Sequence, residues 1–184
     1  ELRFLSYESM AASPAFEKMI GQGAVVVEVG GGSMQITLFR KGTAVTTQHI
    51  ELGIMRILEK LSKIPNMVSH YETQIQELID KELEIFKRLY LEGQDIKYVI
   101  LMGDYIGEMV KGFSKKQGDG AIESERFLKL LNKWHKKSPK DIAVELNLVN
   151  ENDPLILPSV VLYKRLTEEM NADFVWVPGV SIDD

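Results

Sequence analysis

Val25-Val-Val-Glu-Val-Gly-Gly-Gly-Ser-Met-Gln35 sets a short β-branched run against three consecutive glycines and a serine. The run from Ala24 to Val29, bounded by Gly21, Gly23 and the triple glycine, is too short for a helix and apolar enough for a buried strand. Glycine opens backbone angles denied to other residues and leaves N–H groups uncovered. A loop of Gly30, Gly31, Gly32 and Ser33 can therefore wrap phosphate oxygens, with the serine adding a hydroxyl. A second strand follows instead of a helix, which separates the segment from the P-loop and the dinucleotide-binding fingerprint. Taken alone, these residues fit equally a tight hairpin that uses glycine only to turn.

Working outward, Met34 to Arg40 alternates in part, Lys41-Gly42 reads as a turn, and Thr43 to Glu51 continues with Val45, Thr46, Thr47 and Ile50. The three segments predict an antiparallel meander. Beyond Gly53 the period changes: Ile54, Ile57, Leu58 and Leu61 predict a helix that ends near Pro65. A longer helix is predicted from Val68 to Leu91 by Ile75, Leu78, Ile79, Leu83, Phe86 and Leu89. Tyr98 to Met102 is a further buried strand before Gly103. Asp104 to Val149 reads as several shorter helices, one of them started by Ser138-Pro139, with a loop at Gly118-Asp119-Gly120. A last helix runs from near Pro154 to Met170, and Asp173 to Val177 closes as a strand. The order is three strands, helices, strand, helices, strand. It predicts an α/β fold with a mixed sheet and flanking helices, the ribonuclease H-like lobe of actin-like ATPases, in one domain over 1–184.

Composition bounds the function. The 184 residues are 45% hydrophobic and 27% charged, as in ordinary globular domains, and a net charge of −5 argues against general nucleic-acid binding. Lys133-Trp134-His135-Lys136-Lys137, with Lys115-Lys116, is a local basic patch, and it reads as solvated helix face. No cysteine is present, so disulfides and thiolate metal sites are excluded and a reducing, cytoplasmic setting fits. No stretch reaches the roughly 18 apolar residues of a membrane span. His49, His70 and His135 lack metal-ligand spacing, and the carboxylates Asp80, Glu82 and Glu84 read as the solvated side of the long helix.

Val-Glu-Val-Gly-Gly-Gly-Ser-Met-Gln-Ile resembles the Asp-Ile-Gly-Gly-Gly-Ser-Thr-Glu signature of the exopolyphosphatase/guanosine pentaphosphate phosphatase family. Glu51-Leu-Gly-Ile-Met-Arg56 is similar to that family's Leu-Gly-(Cys/Ala)-Val-Arg segment. Tyr98 to Gly103 resembles its next strand and glycine. Ile156-Leu-Pro-Ser159, with the helix and strand after it, resembles its Ile-Leu-Pro-Gly arrangement. The resemblance implies a two-lobed actin-like phosphatase in which Mg2+ assists attack of water on a terminal phosphoanhydride. It implies polyphosphate or guanosine polyphosphate as ligand. The chain would be the second lobe of a longer protein whose N-terminal lobe lies elsewhere, and a homodimer is a further arrangement to test.

Two departures weaken the implied chemistry. The family's metal-binding Asp before the glycines reads Glu28, which keeps the charge on a longer arm. The Glu after the Ser-Thr pair reads Gln35, which cannot take a proton from water near neutral pH. The family's Ser-Gly-x-Glu-Glu-Ala stretch falls on Ser6 to Ala11, where Met10 takes the place of the catalytic Glu and Glu8 lies two residues early. The expectation is a phosphate-binding lobe with weak or lost hydrolysis. The alternatives are an active exopolyphosphatase that uses Glu8 and a non-catalytic regulatory or dimerisation module.

Overall fold

The computed structural model describes residues 10–63, 71–111, 120–150 and 153–178. The strands are β1 (Ala24–Val29), β2 (Met34–Arg40), β3 (Thr43–Ile50), β4 (Tyr98–Met102), β5 (Ile122–Glu123) and β6 (Phe174–Trp176). They form one six-stranded sheet in the order β3-β2-β1-β4-β6-β5. The helices are α1 (Pro14–Gly21), α2 (Ile54–Ser62), α3 (Tyr71–Phe86), α4 (Ile106–Val110), α5 (Ser124–Trp134), α6 (Pro139–Glu145) and α7 (Ile156–Met170). A π-helical turn, Lys87–Leu91, extends α3.

β1, β2 and β3 form the antiparallel meander predicted from sequence, and β1 pairs in parallel with β4, as β4 does with β6. The turn at Lys41-Gly42 has φ of 49° and 78°, the two left-handed residues that a tight hairpin matching strand twist requires. β1 lies inside the sheet, so both its faces are covered and its apolar run is nearly continuous. Val25, Val27 and Val29 enter the larger core under α2, α3 and α7, whereas Ala24 and Val26 enter a smaller cluster with Phe16 and Met19 of α1.

Three features were not read from the sequence. α1 lies before the first predicted element, although Ser13-Pro14 and the spacing of Phe16, Met19 and Ile20 carry a helix signal. β5 is two residues long, below what periodicity resolves, and it pairs with β6 only because the chain returns there. Asp80 departs from the solvated-face expectation: both its oxygens accept from Arg165 of α7, at 2.6 Å from Nε and 2.7 Å from Nη2. The expected helix start at Ser138 holds: the residue caps α6, its hydroxyl accepting from the Asp141 N–H at 3.2 Å. The basic run departs from a purely solvated face: Trp134 is buried, Lys133 and Lys137 both donate to Glu145, and His135 lies against Glu72. The predicted loop residues Gly118 and Asp119, and also Pro65, His70, Lys115 and Lys116, lie outside the described residues.

Candidate phosphate-binding loop

The glycine loop sits at the C-terminal end of β1, beside the C-terminal end of the parallel strand β4, where open α/β sheets hold their ligands. The Gly30 N–H donates to the Ser33 carbonyl at 2.8 Å and closes the hairpin. The Gly30 carbonyl accepts from the Ile54 N–H at 3.0 Å, and the Gly31 carbonyl accepts from Met55 at 2.9 Å and Arg56 at 3.1 Å. The loop thus satisfies three first-turn donors of α2, which would otherwise lack partners.

That contact orients the loop. In a trans peptide the carbonyl and the following N–H point in opposite directions. With the Gly30 and Gly31 carbonyls turned to α2, the N–H groups of Gly31 and Gly32 turn away from it. Among the described residues the N–H groups of Gly31, Gly32 and Ser33 have no backbone partner. Gly32 is exposed and its neighbours are half-buried, so the Gly31 and Gly32 donors lie near the surface on the side away from α2.

The glycines do not use the left-handed backbone angles that the residue opens. None of Gly30, Gly31 and Gly32 has a φ in the left-handed region. Of Gly31 and Gly32, only Gly31 provides clearance. A Cβ at Gly31 would lie 2.9 Å from the Met55 Sδ, whereas one at Gly32 would meet nothing within 4 Å. The closest approach is at Gly53, where a Cβ would lie 2.2 Å from the Gly30 oxygen and 2.5 Å from the Gly31 oxygen. Gly53 has φ −126° and ψ 179°, angles open to any residue, so proximity alone requires glycine there. On the other flank a Cβ at Gly103 would come within 2.5 Å of the Tyr163 Oη and 2.7 Å of the Val29 oxygen. Tyr163 donates to the Asp104 carbonyl at 2.9 Å, and burial raises its phenol far above the ordinary range, with Asp104 and Glu108 adding to the effect. Tyr105 is left-handed at φ 64° and donates to Asp153; burial and that contact push its phenol up.

Glu28 is half-buried in β1, directly across from Gln35 of β2 and Met102 of β4. Its side chain belongs to the α1 face of the sheet, the face of Val26. Gln35 is exposed and pairs on its other side with His49 of β3, which lies two strands, about 10 Å, from Glu28. No group of three or more metal-ligating side chains occurs among the described residues. Magnesium characteristically keeps several waters and takes one or two carboxylates plus phosphate oxygens, and a single glutamate suits that pattern. Glu8 lies outside the described residues. Met10 is 2% exposed in the apolar cluster with Phe16, Met19 and Ile100, a packing position and not a cleft position.

The overall fold recurs in solved structures. The fold is that of the Ppx/GppA structures. An Aquifex aeolicus PPX-GPPA enzyme superposes with a TM-score of 0.69 at 14% identity, over 96% of this chain and 59% of that one. A second structure of the Aquifex aeolicus family member gives 0.68 at 15%, over 96% and 58%. An exopolyphosphatase from Cytophaga hutchinsonii gives 0.63 at 12%, over 86% and 54%. This chain therefore spans somewhat more than half the length of these three chains. No protein-family model matches the sequence, and no curated protein does. No described helix is long and apolar enough to cross a membrane.

Proposed function

We propose that the chain is one lobe of an exopolyphosphatase- or guanosine pentaphosphate phosphatase-like protein. In this reading it binds phosphoanhydride oxygens through Gly30, Gly31, Gly32 and Ser33 and hydrolyses them weakly or not at all. The observation that carries the binding half is the row of N–H groups at Gly31, Gly32 and Ser33, held outward because the loop carbonyls are engaged by α2. These donors are fixed before the ligand arrives, so no loop ordering opposes binding. Glu28 would hold one side of a magnesium ion that arrives with the phosphate and neutralises its charge.

The hydrolytic half is supported by what stands around the loop. Gln35 faces Glu28 across the ladder where a second carboxylate would share the metal or the water, and an amide does neither. Met10 is packed among apolar side chains, so this position offers no base. Loss of a positioned base costs on the order of 10² to 10⁴ in rate. Phosphoryl transfer also needs groups that close around both ends of the reacting phosphate, and the rest of such a cleft would come from a partner lobe.

Calorimetric titration of the chain with pyrophosphate and Mg2+ tests the binding half, with Gly32→Ala as the loop variant. Binding that Gly32→Ala weakens while its melting curve stays unchanged supports the reading; no heat and no thermal stabilisation removes it. Phosphate release from pyrophosphate or tripolyphosphate at ordinary enzyme rates would sink the hydrolytic half. If Glu8→Gln then abolished that release, Glu8 would be the base.

A further inference from the structure

β3 is one edge of the sheet: it pairs with β2, and among the described residues no strand pairs with its other side. An edge strand presents a row of unpaired N–H and C=O groups, and natural edges are blunted by shortness, lysine, proline or a bulge. The opposite edge, β5, is guarded by being two residues long. β3 has eight residues, Thr43-Ala-Val-Thr-Thr-Gln-His-Ile50, with no charged side chain and no proline, and only Ile50 is buried. Its one irregularity lies opposite Leu38 and Phe39, which leaves Thr46 to Ile50 in regular register with β2. α3 flanks the same edge on the Gln48 and Ile50 face. Ile85 and Leu89, four residues apart on that helix, are 62% and 60% exposed, and a cavity of about 500 Å³ lies between them and the end of β3. The turn that extends α3 is tied to the hairpin, the Tyr90 carbonyl accepting from Arg40 at 3.0 Å.

We propose that β3 pairs antiparallel with β3 of a second copy of this chain across a two-fold axis, joining the two sheets into one. The inference does not depend on the reading of the glycine loop. In an isologous contact the residues near the axis meet their own copies, so a charged edge would repel itself. Thr46, Thr47 and Gln48, at the middle of β3, are uncharged, and each side chain both donates and accepts, so each can satisfy its copy. The ends of the strand are complementary. Antiparallel order brings the Lys41 end of one strand to the Glu51 end of the other, and the symmetry makes that contact twice. Both residues are exposed, and neither has an ion-pair partner among the described residues. Within one chain they stand at opposite ends of β3, roughly 25 Å apart, so they can pair only between copies. A two-fold axis perpendicular to the sheet also keeps both α3 helices on one side of it. There Ile85 and Leu89 of the two copies approach each other along the joined edge, and an exposed apolar pair gains cover.

The test is sedimentation velocity of the whole chain from about 1 µM to about 1 mM, the span of a weak association, repeated for Thr47→Lys, Glu51→Lys and the double variant Lys41→Glu/Glu51→Lys. Position 47 is exposed and lysine is a residue that natural edge strands carry, so Thr47→Lys should fold, and circular dichroism with a melting curve checks that it does. Glu51→Lys, beyond the end of the strand, tests the same contact if Thr47→Lys does not fold. A reversible dimer is expected. Thr47→Lys should raise its dissociation constant about tenfold or more, because two like charges then face each other near the axis. Glu51→Lys should weaken the dimer, and adding Lys41→Glu should restore it. A chain that stays monomeric up to about 1 mM overturns the inference and leaves the edge to a strand of another protein. A dimer that Thr47→Lys and Glu51→Lys leave unchanged overturns it as well, by placing the contact on another surface. A double variant no tighter than Glu51→Lys overturns the antiparallel order.

Discussion

Gly53→Ala isolates the contact on which the loop depends. The residue already has angles that alanine adopts freely, so the substitution adds a methyl group and no backbone strain. The added Cβ would lie 2.2 Å from the Gly30 oxygen and 2.5 Å from the Gly31 oxygen, and relief requires those carbonyls to retreat by roughly 1 Å. They are backbone atoms, and they accept three hydrogen bonds from the first turn of α2. Overpacking of this kind costs about 1–3 kcal/mol, and the three stretched bonds lose a share of the roughly 0.5–1.5 kcal/mol that each contributes. A total near 3 kcal/mol is expected, which for a chain of this size lowers Tm by roughly 6–12 °C. Differential scanning calorimetry reads the stability, and pyrophosphate titration reads the loop, whose donors lose their fixed direction. Gly32→Ala is the control: a Cβ there meets nothing within 4 Å, so stability should stay within about 0.5 kcal/mol while phosphate affinity falls. A Gly53→Ala protein that melts within about 1 °C of wild type would refute the steric account of the loop.

Met10→Glu, which places an acid where the resemblance implies one, should destabilise by several kcal/mol and produce no hydrolysis, because the position is 2% exposed among apolar side chains. Recovered activity in a phosphate-release assay would show that the site is open. Gln35→Glu places a carboxylate directly across from Glu28; stability without metal should fall by about 0.2–1 kcal/mol and Mg2+ affinity should rise, read by melts with and without Mg2+. For Arg165, half-buried between both oxygens of Asp80 and the carboxylates of Glu168 and Glu169, Arg165→Ala should cost about 1–3 kcal/mol in a urea titration, and Arg165→Lys should recover only part of it, since the paired geometry needs a guanidinium. Glu145 accepts from Lys133 and Lys137, which hold its carboxyl down at about 2 from an ordinary value near 4.5. A lowered folded value means that the contribution is present above 4.5 and is lost as pH falls towards 2. Glu145 is exposed, so Glu145→Gln should cost under about 1 kcal/mol at neutral pH, with the difference from wild type vanishing near pH 2.

Strand and helix positions were legible where one chemical pattern served one structural role. Val25 to Val29 is apolar on consecutive residues because β1 has neighbours on both sides and cover on both faces, and Lys41-Gly42 reads as a turn because few residue pairs accept its angles. The short strand β5 carries no such pattern; its two residues pair only because a later strand lies beside them. Asp80 likewise looks like any solvated helix carboxylate until α7 brings Arg165 against it from 85 residues away.

For the glycine loop the division is sharper. The residues alone showed that three glycines and a serine end a buried strand, that a strand follows, and that Glu28 and Gln35 flank the loop at the positions where the resemblance implies two acids. Tertiary structure alone decided which way the loop faces. Gly53 lets α2 approach until its first three N–H groups engage the Gly30 and Gly31 carbonyls, and the planar peptide then turns the next N–H groups outward. It also decided that Met10 is core. A donor's direction and a side chain's burial depend on which distant segments meet, and neighbours in sequence do not carry that information.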